Sequence, residues 1–334
     1  MRRAFVSGIA GFLGSYLAEA LLSRGVAVVG IDTMIGGYID NVPARAEWHR
    51  VDCNDLERVR EAMRGCDVVY HCAALAYEGF SVFSPHLVTQ GIVTASTGVF
   101  SAAIANGVRR VVNCSSMARY GTNAVPFVET MEPRPQDPYG FGKLCAEQIL
   151  RCLAALHDFE HVTCVPHNII GPRQKYDDAY RNVASIFIHR MLKGQQPIIY
   201  GDGAQVRCFS DVADVVEPLL ILGESPDVIG EVINVGPDHG DVTIVELAKR
   251  IARMLNFDLQ PIYMPGRPAE VKLATCSADK ARRLLGYEPK TNLDDTLYRM
   301  ITWIRDRGVG EFTYHLPLEF TTDKTPRTWT EKVM

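Results

Sequence analysis

Tyr139 and Lys143 stand four residues apart in Tyr139-Gly140-Phe141-Gly142-Lys143. On a helix that spacing puts a phenol and an ammonium on one face. A free tyrosine, with a pKa of about 10, is too weak a base at neutral pH. A neighbouring positive charge favours its phenolate and makes it able to take a proton from an alcohol. Ser116, about two dozen residues upstream, offers a hydroxyl to hold the same alcohol or carbonyl oxygen. Alone, the string equally describes an exposed tyrosine and lysine on an amphipathic helix.

A second constellation lies at the N-terminus, Gly8-Ile9-Ala10-Gly11-Phe12-Leu13-Gly14. It follows a short apolar strand and opens a helix. Gly8, Gly11 and Gly14 there permit a tight turn and close approach of a pyrophosphate to the helix N-terminus. The same glycines would suit a turn without a ligand. Asp32 ends the next strand, about 20 residues on, where a carboxylate accepts from the ribose hydroxyls and repels a 2′-phosphate. No arginine follows within several residues, so the pattern predicts NAD rather than NADP. Asp52-Cys53 ends a third strand, where adenine would lie, although Asp52 could instead cap the helix near Leu56. Cys72-Ala73-Ala74, after His71, gives small residues that let the backbone touch a cofactor. Together with Tyr139, Lys143 and Ser116, these features predict hydride transfer between a nicotinamide and a carbon bearing a hydroxyl.

The elements that must position these groups alternate. Strands are predicted at Ala4–Ser7, Val26–Ile31, Glu47–Val51, Asp67–His71, Val111–Cys114 and Val162–Val165. Helices fall at Ser15–Ser23, Leu56–Met63, Ile92–Ala105 and Tyr139–Leu156. Continuous apolar strands separated by helices predict an α/β fold, a Rossmann-type doubly wound parallel sheet covered on both faces. After Gly171-Pro172 the pattern loosens. Residues 1–171 read as the NAD-binding domain and 172–334 as a smaller α+β substrate lobe, with elements near 210–235 packing back onto the first domain. The last stretch, Phe312–Met334, has no period and is expected to be extended and draped on the surface.

The 334 residues, 47% hydrophobic and 22% charged, form an ordinary globular composition. A net charge of −4 gives no basic footprint for nucleic acid. No signal peptide or bilayer-spanning stretch is read from the sequence, and the nine cysteines contain no CxxC pair. A cytoplasmic protein with reduced thiols and no metal is expected.

In order along nearly the whole chain, to about Arg307, these motifs resemble the NAD-dependent epimerase/dehydratase family, extended short-chain dehydrogenase/reductases acting on nucleotide sugars. Later segments match too: Ser115-Ser116-Met117-Ala118-Arg119-Tyr120-Gly121, Pro166-His167-Asn168-Ile169-Ile170-Gly171-Pro172-Arg173, Gly201-Asp202-Gly203 with Arg207, and Gly266-Arg267-Pro268. The resemblance implies that Phe12, Leu13 and Pro166 join the cofactor residues named above. It implies that Asn168, Arg207 and Arg267 hold a diphosphate, which suits guanidinium forks. Asn182 is a further contact at a helix start. It also implies a homodimer through a four-helix bundle of the Ile92–Ala105 and Tyr139–Leu156 helices.

Departures from the family pattern narrow the reaction. Met117 and Ala118 replace the acids of the dehydratases, and Ala118 also replaces the glutamate of the decarboxylases and the cysteine of the 3,5-epimerases. The set left is that of a nucleotide-sugar 4-epimerase: Ser116, Tyr139, Lys143 and NAD. A 4-dehydrogenase or 4-keto reductase that releases its cofactor is the near alternative, and a non-catalytic NAD-binding sensor the distant one. Gly91 stands where the family has asparagine. Arg119 replaces an aliphatic residue, either to face an anionic sugar or to pair with Glu129 or another loop acid.

Overall fold

The computed structural model describes residues 1–334. Short runs of β-branched and small apolar residues form the inner strands of its main sheet, because a buried parallel sheet needs both faces apolar. The N-terminal half runs β1 (Arg3–Ser7), α1 (Phe12–Ser23), β2 (Ala27–Asp32), β3 (Glu47–Arg50), α2 (Leu56–Ala62), β4 (Val68–His71), α3 (Glu78–Ser81), α4 (Pro85–Thr89) and α5 (Ala95–Ala105). Then come β5 (Arg110–Cys114), α6 (Pro138–His157), β6 (Glu160–Pro166), β7 (Ile169–Ile170), α7 (Val183–Leu192), β8 (Ile198–Tyr200), β9 (Val206–Arg207), β10 (Ser210–Asp211), α8 (Val212–Glu224) and β11 (Val232–Val235). The chain closes with β12 (Val242–Thr243), α9 (Ile244–Leu255), β13 (Ile262–Met264), β14 (Leu273–Ala274), α10 (Asp279–Leu285), α11 (Leu293–Arg307) and α12 (Arg327–Thr330).

Seven parallel strands form one sheet in the order β11-β6-β5-β4-β1-β2-β3. The order reverses at β1, the switch point beside which ligands bind in such sheets. Alternation along β1 divides the core. Ala4 and Val6 face α1 and α8, whereas Phe5 packs with Val29 and Ile31 toward α2, α5 and α6. Register places the functional strand ends side by side. Ser7 is opposite both Ile31 and His71, His71 opposite Asn113, and Cys114 opposite Cys164. A separate core of α7, α9 and α11 supports the second lobe.

Three local readings need correction. The helix predicted from Ile92 begins earlier, because Pro85 opens α4 and a wider π-type turn at Gln90–Thr94 joins it to α5. The resulting Pro85–Ala105 run is long and apolar enough to cross a membrane by length and composition, which the sequence reading missed. Its Val88, Ile92, Val99 and Phe100 are in the protein core. The C-terminal stretch is not merely draped. Leu316, Thr325, Thr328 and Trp329 are buried, and Trp329 packs against Phe80, Phe83 and Tyr180.

Candidate functional site

A cleft of about 550 Å³ opens along the carboxyl ends of the strands and reaches the second lobe. The cofactor, catalytic and diphosphate residues named from the sequence line it, from Gly8, Gly11, Phe12, Leu13 and Gly14 at one end to Asn182, Arg207 and Arg267 at the other.

The cofactor end is built on close backbone contacts. Gly8 has φ +78°, in the region that favours glycine, and a Cβ on Gly14 would lie 2.1 Å from the Gly8 carbonyl oxygen. The turn is therefore closed to any side chain, which leaves room for a phosphate at the start of α1. Asp32 has two tasks. Its Oδ2 accepts from the Ala10 amide at 3.0 Å and its Oδ1 from the Met34 amide at 2.7 Å. It thus braces the glycine turn from the neighbouring strand while its remaining lone pairs face the cleft. Burial raises its pKa, and these amide donors oppose that shift. Asp52 does not cap α2: Asp55 accepts from the Arg58 amide, and Asp52 accepts from Asn54 instead. Cys53, Cys72, Ala73, Ala74 and Pro166 complete the lining. At Gly91 a Cβ would meet the Leu75 side chain at 2.6 Å, so Leu75 fills the space that an asparagine would need. This cradle, closed to Cβ atoms and ending in a carboxylate, fits a dinucleotide such as NAD.

Tyr139 and Lys143 are both buried on the first turns of α6, whose N-cap Asp137 accepts from the Gly140 amide at 2.8 Å. Lys143 Nζ donates to the Cys114 carbonyl oxygen at 2.9 Å, tying the helix to the end of β5. Burial lowers the Lys143 pKa. Burial also raises the Tyr139 pKa, while the Ser116 hydroxyl pulls it down. The lysine one turn away, expected to favour the phenolate, is not among the groups that set this shift: after burial and Ser116 come the charges of Glu78, Asp137 and Arg181. Ser116 caps the short turn Met117–Arg119, accepting from the Ala118 amide at 3.2 Å.

At the far end, Asn168 donates to the Cys208 carbonyl at 3.0 Å, and Asn182 caps α7 through the Ala184 amide at 2.9 Å. Arg207 spends its donors on the carbonyls of Val206, Val271 and Lys272. Arg267 pairs with Glu270 at 2.6 Å and lies over the Tyr200 ring. A diphosphate would take these guanidinium groups by displacing those partners.

Arg119 resolves its two readings. It does not line the cleft but pairs with buried Glu147 on α6 at 3.1 Å, and Glu129 accepts instead from the Asn234 amide. Among the lining residues that escaped sequence reasoning are three whose charges reach Tyr139. Arg181 lies over the Tyr77 ring and 3.6 Å from Asp178, while Asp137 and Glu78 bring carboxylates near Tyr139. Glu78 had a signal, since it is the sole acid between Asp67 and Glu129.

The model of the NAD dependent epimerase/dehydratase family matches residues 4–236. The chain is 30% identical over 314 residues to a UDP-glucose 4-epimerase of Mycolicibacterium smegmatis, covering 92% of this chain and 99% of that one. It is 27% identical over 321 residues to a UDP-N-acetyl-alpha-D-glucosaminuronate decarboxylase of Bacillus cytotoxicus, covering 91% and 98%. The solved UDP-glucose 4-epimerase of Thermus thermophilus in complex with NAD superposes with a TM-score of 0.84 at 29% identity, covering 91% and 99%. The match over most of the chain, on a sheet whose switch point carries the glycine turn, Asp32 and the Tyr139–Lys143 pair, makes this protein a member of the NAD-dependent epimerase/dehydratase family.

Proposed function

We propose that the protein is a nucleotide-sugar 4-epimerase. The observation that carries this reading is the composition of the cleft around Tyr139. Ser116, Tyr139 and Lys143 converge there, while Met117 and Ala118 bring no acid or thiol to the next two positions. Dehydration, decarboxylation or 3,5-epimerisation by the routes of this family would need such a group.

NAD, when bound, supplies the hydride acceptor and donor for the sugar carbon and a positive charge beside Tyr139. The chain does the rest. Lys143, fixed by the Cys114 carbonyl, adds its ammonium on the same helix face. Tyr139 then takes the proton of the sugar 4-hydroxyl and later gives it back. Ser116 holds that oxygen in both directions. Arg207, Arg267, Asn168 and Asn182 anchor the diphosphate at the far end of the cleft, so the sugar can turn over about a fixed nucleotide.

α6 presents an exposed stripe of Phe141, Cys145, Cys152 and Leu156, spaced along one side of the helix. We propose that a second copy covers it, giving a homodimer. A decarboxylase on the same scaffold is the second reading, because three of the matched relatives carry that name. The deciding experiment incubates the purified protein, with no NAD added, with UDP-glucose, UDP-galactose and UDP-glucuronate. A 4-epimerase interconverts 4-epimers and releases no carbon dioxide. Tyr139→Phe should lower turnover by about 10²–10⁴-fold. Carbon dioxide release from UDP-glucuronate would replace this reading with the second.

A further inference from the structure

Glu78 is the first residue of α3 and opens into the cleft. Its place relative to the base is set by one hydroxyl. Ser81 Oγ donates to the Glu78 carbonyl at 2.6 Å and accepts from the Tyr139 amide at 3.3 Å. The backbone of Glu78 is thus two hydrogen bonds from the backbone of Tyr139.

The other sides of α3 are braced. The Phe80 ring lies 4.6 Å from Tyr180 and 6.0 Å from Trp329. A Cβ on Gly79 would stand 3.4 Å from the Arg267 guanidinium and 3.9 Å from Trp329. The C-terminal stretch adds a further clamp, with the Glu319 carboxylate accepting from the His86 and Leu87 amides at the start of α4. A short helix that would fray alone is held so that its first side chain faces the cleft.

Glu78 makes none of the chain's ion pairs. Arg267 is committed to Glu270, and Arg207 to backbone carbonyls. Arg181, the remaining cation on this side, is offset by Asp178 at 3.6 Å and stacked on Tyr77 at 4.8 Å. Asp137, 3% exposed, adds a second carboxylate whose Oδ2 has no partner. With a diphosphate on Arg207 and Arg267, the carboxylates of Glu78 and Asp137 would face the sugar, with Lys143 and Arg181 the other cations of the cleft.

We propose that Glu78 reads the charge of the sugar: it accepts hydrogen bonds from sugar hydroxyls and repels a sugar carboxylate, so the enzyme takes nucleoside-diphosphate hexoses and rejects the corresponding hexuronates. This rests on the nucleotide-sugar reading of the site and deepens it. A carboxylate is suited to the task, because it can only accept from hydroxyls and because like charges brought together out of bulk water discriminate strongly. Enclosure in the cleft, then the charge of Asp137, pushes the Glu78 pKa up to about 7, against the pull of the Arg207 and Arg267 charges. The side chain remains open to cleft water, which tempers that shift, so the group is ionised at pH 8.5.

The test uses the purified holoenzyme at pH 8.5, with calorimetric binding of UDP, UDP-glucose and UDP-glucuronate and with turnover of both sugars. Wild type should favour UDP-glucose by about 10²-fold, and Glu78→Gln should shrink that preference by about 10-fold or more, chiefly through tighter UDP-glucuronate binding. Glu78→Ala should shrink it as well while weakening UDP-glucose. Each sugar's affinity is read relative to UDP alone in the same protein, because Glu78 also acts on Arg207 and Arg267, and this ratio separates the sugar wall from the nucleotide site. A preference unchanged in both variants, or a wild type that accepts UDP-glucuronate as well as UDP-glucose, overturns the role of Glu78 and leaves the nucleotide-sugar site standing. Failure of wild type to bind UDP and both sugars overturns the nucleotide-sugar reading and this proposal with it.

Discussion

Arg119 and Glu147 form an ion pair at 3.1 Å with side chains only 5% and 4% exposed. Glu147 lies one helical turn beyond Lys143 on α6, and Arg119 ends the turn that Ser116 caps. Ser115 also donates to Glu147. The pair therefore locks the serine segment to the helix that carries Tyr139 and Lys143. Removing one partner strands the other charge in the interior, which costs about 3–5 kcal/mol. Arg119→Leu should lower stability by that amount in urea unfolding. Arg119→Leu combined with Glu147→Leu should recover much of the loss. Recovery absent from the double variant would mean that the pair acts through something other than charge.

Acid should weaken the fold through His71. The ring is fully enclosed, with Nδ1 2.8 Å from Ser7 Oγ and Nε2 2.9 Å from Ser96 Oγ. Burial, then the charge of Lys143, pushes its pKa down to about 3. The unfolded chain binds a proton near pH 6.5, and the folded chain does not until about pH 3. The contribution is therefore fully present above the unfolded value and lost as pH falls through that window. At pH 5 the loss from this residue is about 2 kcal/mol. His71→Asn should start less stable yet lose about 2 kcal/mol less between pH 7.5 and pH 5. An unchanged slope would place the acid sensitivity elsewhere, such as His167, whose pKa burial lowers to about 4.

What the sequence disclosed is local in the chain. The glycine turn, the Asp32 strand end and the Tyr139–Lys143 spacing are each set within one strand–turn–helix unit, so periodicity and turn chemistry reveal them. What it hid depends on long-range packing. Nothing near Phe312–Met334 shows that Trp329 will reach Phe80, or that Glu319 will meet amides 232 and 233 residues away. Glu78 sits on a four-residue helix too short to show a period, and Arg119 found its acid on α6 rather than in a loop. Gly91 stands where the family has asparagine, and only the packing shows that Leu75 occupies the space.

Asp32 should govern cofactor choice at a cost to the turn. Its carboxylate repels a 2′-phosphate and also accepts from the Ala10 and Met34 amides. Asp32→Ser with Thr33→Arg exchanges repulsion for a phosphate partner, so the NADP-to-NAD affinity ratio should rise by about 10-fold or more. Because the amide contacts are lost, affinity for NAD should fall in the same variant. Titration of both cofactors into stripped protein measures the two effects separately. A wild type that already prefers NADP would refute this account of Asp32.

Isotopes separate the proposed reaction from its relatives without knowledge of the natural sugar. In a 4-epimerase the hydrogen removed from C4 returns to C4, and Tyr139 exchanges only the hydroxyl proton. Dehydration and 3,5-epimerisation instead ionise a carbon–hydrogen bond next to the keto group, and that carbon takes up a proton from solvent. Such steps need an acid or base beyond Tyr139, and the positions after Ser116 hold Met117 and Ala118. Conversion in D₂O should therefore give product without carbon-bound deuterium. Substrate deuterated at C4 should keep its label, and should react more slowly if hydride transfer limits turnover. Deuterium at C3 or C5 of the product would show that another cleft carboxylate, with Glu78 and Asp137 the nearest to Tyr139, supplies the missing proton transfer.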